Sequence, residues 1–235
     1  MTTSSSSPSR LYRLASFLWP ALGLTLVAAA LWRWEAQHWG AFVWLAGSFA
    51  TGLIRAPFQR RTRDNVVVDD RKTLGERLLL AGMFLTMGIL PLLQLATGIM
   101  DVAAYSLPTW ATAIGAALQV PFLWLFWRSH ADLGRNWSVS LEIRKDHNLV
   151  TQGVYARMRH PMYAAIWIAA IAQPLLIHNW IAGLLVIPTF AAMYLLRIPQ
   201  EEAMMQAQFG ADYDRYAAQT GRIWPRLGSK PTTAS

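Results

Sequence analysis

The sequence has no cysteine at any of its 235 positions. That absence excludes disulfides, thiol nucleophiles, thiolate zinc sites and a prenylated C-terminus. Charge is scarce as well: Asp, Glu, Lys and Arg make up 14% of the residues, whereas 54% are hydrophobic and 12 are tryptophan. Water solvates such a chain poorly, and it reads as a membrane protein. Acidic residues are the rarer sign, 13 against 21 Lys and Arg. The five histidines are dispersed, without the paired His boxes that a di-iron oxygenase needs, and no metal site is expected. The apolar runs leave no room between them for a second globular domain, and no internal repeat is visible.

Uncharged runs at residues 14–32, 78–100 and 102–127 each approach or exceed the roughly 20 residues that cross about 30 Å of hydrocarbon as a helix. The run at 39–54 is shorter and holds Gly47 and Gly52, but Trp39 and Trp44 can serve it as interface anchors. Residues 161–196 contain no formal charge, and as one helix they would reach roughly 54 Å, a little less than two membrane thicknesses. A tight helical hairpin turning at His178, Asn179 and Trp180 is expected there. The expected fold is therefore an all-α integral membrane protein of about six transmembrane helices.

Short cytoplasmic loops collect Lys and Arg, and short exported loops avoid them. Of the 21 basic residues, two precede the first run, seven lie within 55–77, six within 128–159 and five from Arg197 onward, which leaves Arg33 alone on the other side. Both termini and the loops 55–77 and 128–160 are expected to face the cytoplasm, with His38, Asp101 and His178 at or near the opposite face of a bacterial inner membrane. The net charge of +8 is then a topological signal and an attraction to anionic lipid, and nucleic acid is not needed to explain it. The first apolar run is long and lacks a visible small-residue cleavage site, so it reads as an anchor. Residues 227–235 read as a loose tail. The loop 55–77 reads chiefly as a solvated surface. Its Thr73-Leu-Gly-Glu76 end is a capping-box pattern that predicts a helix starting near Thr73.

The segment from Arg128 to Tyr163 is polar yet patterned. Val139, Leu141 and Ile143 alternate with Ser138, Ser140 and Glu142, predicting a short extended piece. Asn148 and Gly153 permit tight turns, and the Leu149 and Val150 pair would anchor the segment to the helices beneath. Pro161 suits the first turn of a helix, where free N–H groups can face an anion. Arg157, Arg159 and His160 just ahead of it read either as a basic membrane flank or as part of a site. A second polar cluster follows the last apolar run, where Arg197, Glu201 and Glu202 meet the membrane face. Positions 197 and 201 are one helical turn apart, so an ion pair is one reading and a catalytic group the other. Met205, Phe209, Tyr213 and Tyr216 recur at helical spacing and predict an amphipathic surface helix, its stripe devoted to packing. A hairpin over 161–196 would bring both clusters into one cytoplasmic pocket.

The combination "HNLVTQGVYARMRHPMY", "RIPQEE", "FGADYDRY" and "GRIWP" resembles the signature of the isoprenylcysteine carboxyl methyltransferase family of integral membrane methyltransferases, which is related to phospholipid methyltransferases. The resemblance runs over roughly residues 133–226 and leaves the first four spans uncovered. It implies a methyltransferase that uses S-adenosylmethionine beneath a membrane-embedded substrate tunnel. Carried onto this sequence, it sets His147, Leu149, Val150, Gly153, Tyr155, His160 and Tyr163 around the cofactor, with Glu202 closing it. Arg159 would orient the pocket or meet the cofactor carboxylate. Arg197 would lie towards the acceptor, with Glu201 as a second catalytic candidate. The resulting division is residues 1–127 as transmembrane helices with the basic loop 55–77, residues 128–226 as the methyltransferase-like region, and the tail. Expected partners are membrane lipids and a lipophilic or lipidated small-molecule acceptor, methylated at the cytoplasmic face on a carboxylate or another group. A membrane sterol-type reductase using NADPH is the alternative, on the strength of a similar C-terminal arrangement and an R-H-P-like element.

Overall fold

The computed structural model describes residues 10–61, 67–70, 73–134, 142–144 and 148–226. Two long helices open the chain, α1 (Arg10–Trp32) and α2 (Trp39–Arg61). The next apolar run forms α3 (Leu74–Phe84), a π-helical turn (Leu85–Ile89) and α4 (Leu90–Thr97). The wider turn lies just before Pro91, whose missing N–H cannot bond back into a regular α-helix. After α5 (Thr109–Leu133) come α6 (Pro161–Leu176), a second π-helical turn (Trp180–Leu184), α7 (Val186–Phe209) and the short α8 (Ala211–Gln219).

Four helical stretches are long and apolar enough to cross a membrane: Trp39–Gln59, Leu74–Thr97, Thr109–Leu133 and Trp180–Phe209. Ala21–Trp32 and Pro161–Leu176 are shorter apolar helices. The chain is thus a helical membrane protein, with four clear candidate spans where the sequence suggests six. Boundaries differ in several places, and the helix expected over 39–54 runs on to Arg61. The helix expected over 78–100 stops at Thr97, because Gly98 turns left-handed (φ 70°) and caps onto the Gln94 carbonyl. The helix expected from 102 begins only at Thr109, after the extended Pro108 and a 3-10 turn at Asp101–Ala103. Beside the helices, Val67–Asp70 and Glu142–Arg144 pair as a short antiparallel ribbon, tying the loop after α2 to the segment after α5. The alternation predicted over 138–143 falls partly on this strand, and the rest of it lies outside the described residues.

Helix α6 is the centre of the fold. It lies against α5, α7 and α2, and its buried face is rich in alanine, with Ala165, Ala170 and Ala172 fully buried. Between helices in lipid there is no hydrophobic driving force, so close packing through small residues does the work. A Cβ at Gly115 of α5 would come within 2.8 Å of Leu175, so only glycine lets α5 and α6 approach this closely. Phe190, Val186 and Ile198 of α7 fill the space between α6 and Met83 of α3, while Phe122, Leu125 and Phe126 of α5 pack on the opposite side of α6. Large side chains such as Phe49, Leu53, Trp110, Trp124 and Leu195 point outward, as a hydrocarbon surround favours.

Deep in this bundle the Gln173 amide joins both π-helical turns, donating to the Thr86 carbonyl (2.8 Å) and the Ala182 carbonyl (2.9 Å). Its oxygen faces the Trp44 indole N–H at 3.4 Å. The chain turns between α6 and α7 at residues 177–179, where Asn179 caps the second turn by accepting from Ile181 and Ala182 and donates to the Met100 carbonyl. At this same end His38 and His178 face each other with ring centroids 4.6 Å apart. Arg33 donates to the Gln94 and Leu95 carbonyls and lies 3.9 Å from Asp101. Arg33 therefore caps α4.

Candidate functional site

At the opposite end of α6 the structure brings the two polar clusters together. His160 is the residue before Pro161, which disfavours helical backbone there, and its non-helical conformation (φ −124°, ψ 60°) ends the loop. The loop is held by a two-sided backbone zipper. Arg159 and His160 donate to the carbonyls of Gly221 and Arg222, and Gly221 donates back to Arg157. The C-terminal "GRIWP" segment thus forms one wall of the site.

Across from it, α7 carries Arg197, Glu201 and Glu202. Pro199 does not spoil the helical spacing, and Arg197 Nε donates to Glu201 Oε1 at 2.9 Å. The same oxygen accepts the Tyr163 hydroxyl at 2.7 Å. Glu202 Oε1 accepts from Arg159 Nε at 3.2 Å and Arg222 Nε at 3.1 Å, and its Oε2 accepts from Arg222 Nη2 at 2.6 Å. His160 stands between the two carboxylates, with Nδ1 3.5 Å from Glu201 and Nε2 3.3 Å from Glu202. Only an imidazolium can donate from both nitrogens. Burial opposes charge on this ring, but the hydrogen bonds and charges of the two glutamates outweigh it and hold the His160 pKa above its ordinary value.

Six of the expected residues therefore converge: Arg159, His160, Tyr163, Arg197, Glu201 and Glu202. Arg159 also donates through Nη1 to the Ala217 and Thr220 carbonyls. Gly153 and Tyr155 form a neighbouring structure packed on α5. Gly153 has φ +60°, and a Cβ there would run into the Asp132 carboxylate, which accepts the next N–H, that of Val154, at 2.8 Å. Tyr155 is buried, donates to the Ser129 carbonyl at 3.3 Å, and accepts the Tyr216 hydroxyl on its own carbonyl at 2.8 Å. Tyr155 and His160 are thus buried contacts within a segment that reads as polar in the sequence. Leu149 and Val150 are half-buried just upstream. His147 lies outside the described residues, as does the 227–235 tail.

The stripe expected on one surface helix is split between two. Gly210 (φ 51°) breaks the chain between α7 and α8, and Tyr213 and Tyr216 of α8 turn inward onto the site's wall. Burial raises the pKa of the Tyr213 phenol to about 12, so this side chain stays neutral.

Three contributors escape the sequence reading. Arg222 lies within "GRIWP" but carries no spacing signal of its own. Asp132 lies near the end of α5 and forms an ion pair with Arg128 at 2.6 Å. Glu76 is expected to cap a helix, and Thr73 does accept from its N–H at 3.2 Å. Its side chain, however, is buried and lies 3.7 Å from Arg197 Nη1, a contact between residues 121 positions apart that no local pattern announces.

The segment that carries most of this geometry, residues 116–207, matches the family model of the Isoprenylcysteine carboxyl methyltransferase (ICMT) family. It is similar to that family. Among curated proteins, the chain is 37% identical over 78 residues to a protein-S-isoprenylcysteine O-methyltransferase of Schizosaccharomyces pombe, covering 33% of each chain. It is 34% identical over 86 residues to protein-S-isoprenylcysteine O-methyltransferase B of Arabidopsis thaliana, covering 36% of this chain and 44% of the relative. It is also 30% identical over 120 residues to the nickel-cobalt-cadmium resistance protein NccN of Alcaligenes xylosoxydans xylosoxydans, covering 51% and 54%. The chain thus spans between a third and about half the length of these relatives. The methyltransferase match takes in α6 and most of α7, and so the polar cluster apart from Glu76 and Arg222.

Proposed function

We propose that this protein is an S-adenosylmethionine-dependent methyltransferase acting at the cytoplasmic membrane face on a lipophilic acceptor, with a carboxylate the favoured methyl-accepting group. The observation that carries the reading is the His160 bridge between Glu201 and Glu202, within the segment similar to the methyltransferase family. In this reading α1 and α6 also cross the membrane, α6 and α7 form the last hairpin, both termini are cytoplasmic, and the membrane is a bacterial inner membrane. Residues 1–127 supply the transmembrane frame and 128–226 the cofactor and acceptor sites.

The donor set suits the cofactor. Glu201 and Glu202 keep 19% and 17% of their side-chain surface open, whereas Arg197 keeps 8%. Their carboxylates can accept from an ammonium group or ribose hydroxyls, and Arg222, half-exposed, is the guanidinium best able to meet a carboxylate. Leu149, Val150, Gly153 and Tyr155 line the approach, and His147 precedes them in the same stretch. The bound cofactor would supply an electrophilic methyl group. The chain's own part is positioning and charge. Arg197 orients the acceptor anion, the buried aromatic ring of Tyr163 excludes water, and a site that excludes water favours neutralisation of opposite charges. A carboxylate acceptor needs no general base. An amine, thiol or hydroxyl would need one, and Glu201 is the group within reach of the acceptor side.

Purified protein should bind S-adenosylhomocysteine in a calorimetric titration and not respond to NADPH, and should transfer isotopically labelled methyl groups into a bacterial membrane extract, where mass spectrometry names the product. Binding of NADPH without S-adenosylhomocysteine would replace this reading with the sterol-type reductase.

A further inference from the structure

Glu76 belongs to the half of the chain outside the family match, yet it touches the centre of the site. Its residue exposure is 5%. A carboxylate is costly to bury without a cation, and the cation here is Arg197, 3.7 Å away and itself buried. Two features deliver it. The Thr73 cap fixes where α3 begins, and α3 packs tightly on α7, a Cβ at Gly82 lying only 3.3 Å from the Thr189 methyl group.

The consequence for Arg197 is geometric. Its bond to Glu201 comes from one turn along the same helix and engages only Nε. Glu76 reaches the guanidinium from a different helix and at a different nitrogen, Nη1 as against Nε. A planar group hydrogen-bonded at Nε from its own helix, with a second carboxylate 3.7 Å from Nη1 on another helix, is drawn towards one orientation.

We infer that Glu76 is a positioning residue for methyl transfer: from the first turn of α3 it fixes the plane of the Arg197 guanidinium, and with it the acceptor. The inference rests on the methyltransferase reading above. It assigns a function to the N-terminal half, which supplies a wall of the active site as well as membrane anchorage.

The test compares wild type, Glu76→Gln and Glu76→Asp as purified full chains. Three quantities are measured: S-adenosylhomocysteine affinity, thermal midpoint, and labelled-methyl incorporation against membrane-extract concentration. Glu76→Gln should raise the half-saturating extract concentration or lower the maximal rate at least tenfold while cofactor affinity stays within about twofold, since misplacing an orienting group affects the transition state more than the cofactor. Glu76→Asp, which keeps the charge, should recover part of that loss. If Glu76→Gln binds the cofactor and turns over at the wild-type rate per folded molecule, Glu76 is a structural ion-pair partner and the inference fails. It fails equally if cofactor affinity and turnover fall together in both variants. Should Glu76→Gln not fold, Glu76→Asp decides: reduced turnover with intact cofactor affinity supports the inference, and wild-type turnover or a second failure to fold overturns it. A wild type that binds no S-adenosylhomocysteine defeats the methyltransferase reading itself, and the inference with it.

Discussion

His160 Nε2 lies 3.3 Å from Glu202 Oε1, and this contact joins the start of α6 to the end of α7. The imidazole pKa is raised above the ordinary value of 6.5, since the two glutamates outweigh the opposing effect of burial. A group whose folded pKa exceeds its unfolded one stabilises the fold most below the unfolded value. That contribution is lost as pH climbs through the folded pKa. The thermal midpoint of the purified protein should therefore fall as pH rises from about 6.5 into the alkaline range, and His160→Gln should remove that slope. A wild-type midpoint flat from pH 6 to 9 would mean that the imidazole is not charged between the carboxylates.

Arg197 is buried between two carboxylates, so Arg197→Ala leaves both Glu201 and Glu76 short of a counter-charge. The expected cost is about 3–5 kcal/mol, well above that of a surface pair. Arg197→Lys keeps the charge and loses the planar fork. It should fold and bind S-adenosylhomocysteine while losing turnover by roughly a hundredfold. Near-normal turnover in Arg197→Lys would remove this residue from the acceptor side. Glu202→Gln should show the opposite split, a weaker cofactor affinity by about 1.5–3 kcal/mol for a lost charge-assisted hydrogen bond, measurable by calorimetry.

Gly153 combines a positive φ with a close neighbour. Alanine there is strained by its backbone, which costs of order 1–3 kcal/mol, and also meets the Asp132 carboxylate that holds the Val154 N–H. Gly153→Ala should destabilise the fold and displace the 153–156 turn, whereas Asp132→Asn, which can still accept that bond, should be milder. Thermal midpoints of the two variants check the order. Equal midpoints would show that the turn does not depend on this clamp.

The natural absence of cysteine makes topology directly testable. Asp101 and Arg215 are both well exposed, with 67% and 76% of their side-chain surface open, and lie at opposite ends of the bundle. An impermeant thiol reagent applied to intact cells should label Asp101→Cys and spare Arg215→Cys. The reverse pattern would invert the orientation inferred from basic charge.

What the sequence makes legible follows physical range. The long uncharged runs identify α2, α5 and the α3–α4 stretch because lipid selects on composition over about 20 residues. The Thr73 cap is readable because it is local, and the Arg197 and Glu201 pair because helical periodicity puts them on one face. What escapes is what depends on packing between distant segments. The Glu76 contact crosses from α3 to α7, the Arg222 contact depends on a backbone zipper, and the register of the 67–70 and 142–144 ribbon has no periodic signature strong enough to read. Pro108 and Gly98 do signal the ends of α5 and α4, but the apolar runs around them conceal the break.

The Gln173 amide sets where this bundle can move. Sliding α6 along its axis by a single residue, a shift of 1.5 Å, would strip its amide from two carbonyls in a medium with no water to replace them. The end of α6 near Gln173 is a fixed pivot, fastened to the stretch before α4 and to the start of α7. Any parting of α6 from α7 is therefore easier at the other end, where His160 and Tyr163 meet α7 through side chains alone. The two helices form a clothes-peg, hinged at the Gln173 end and gripping at the His160 end.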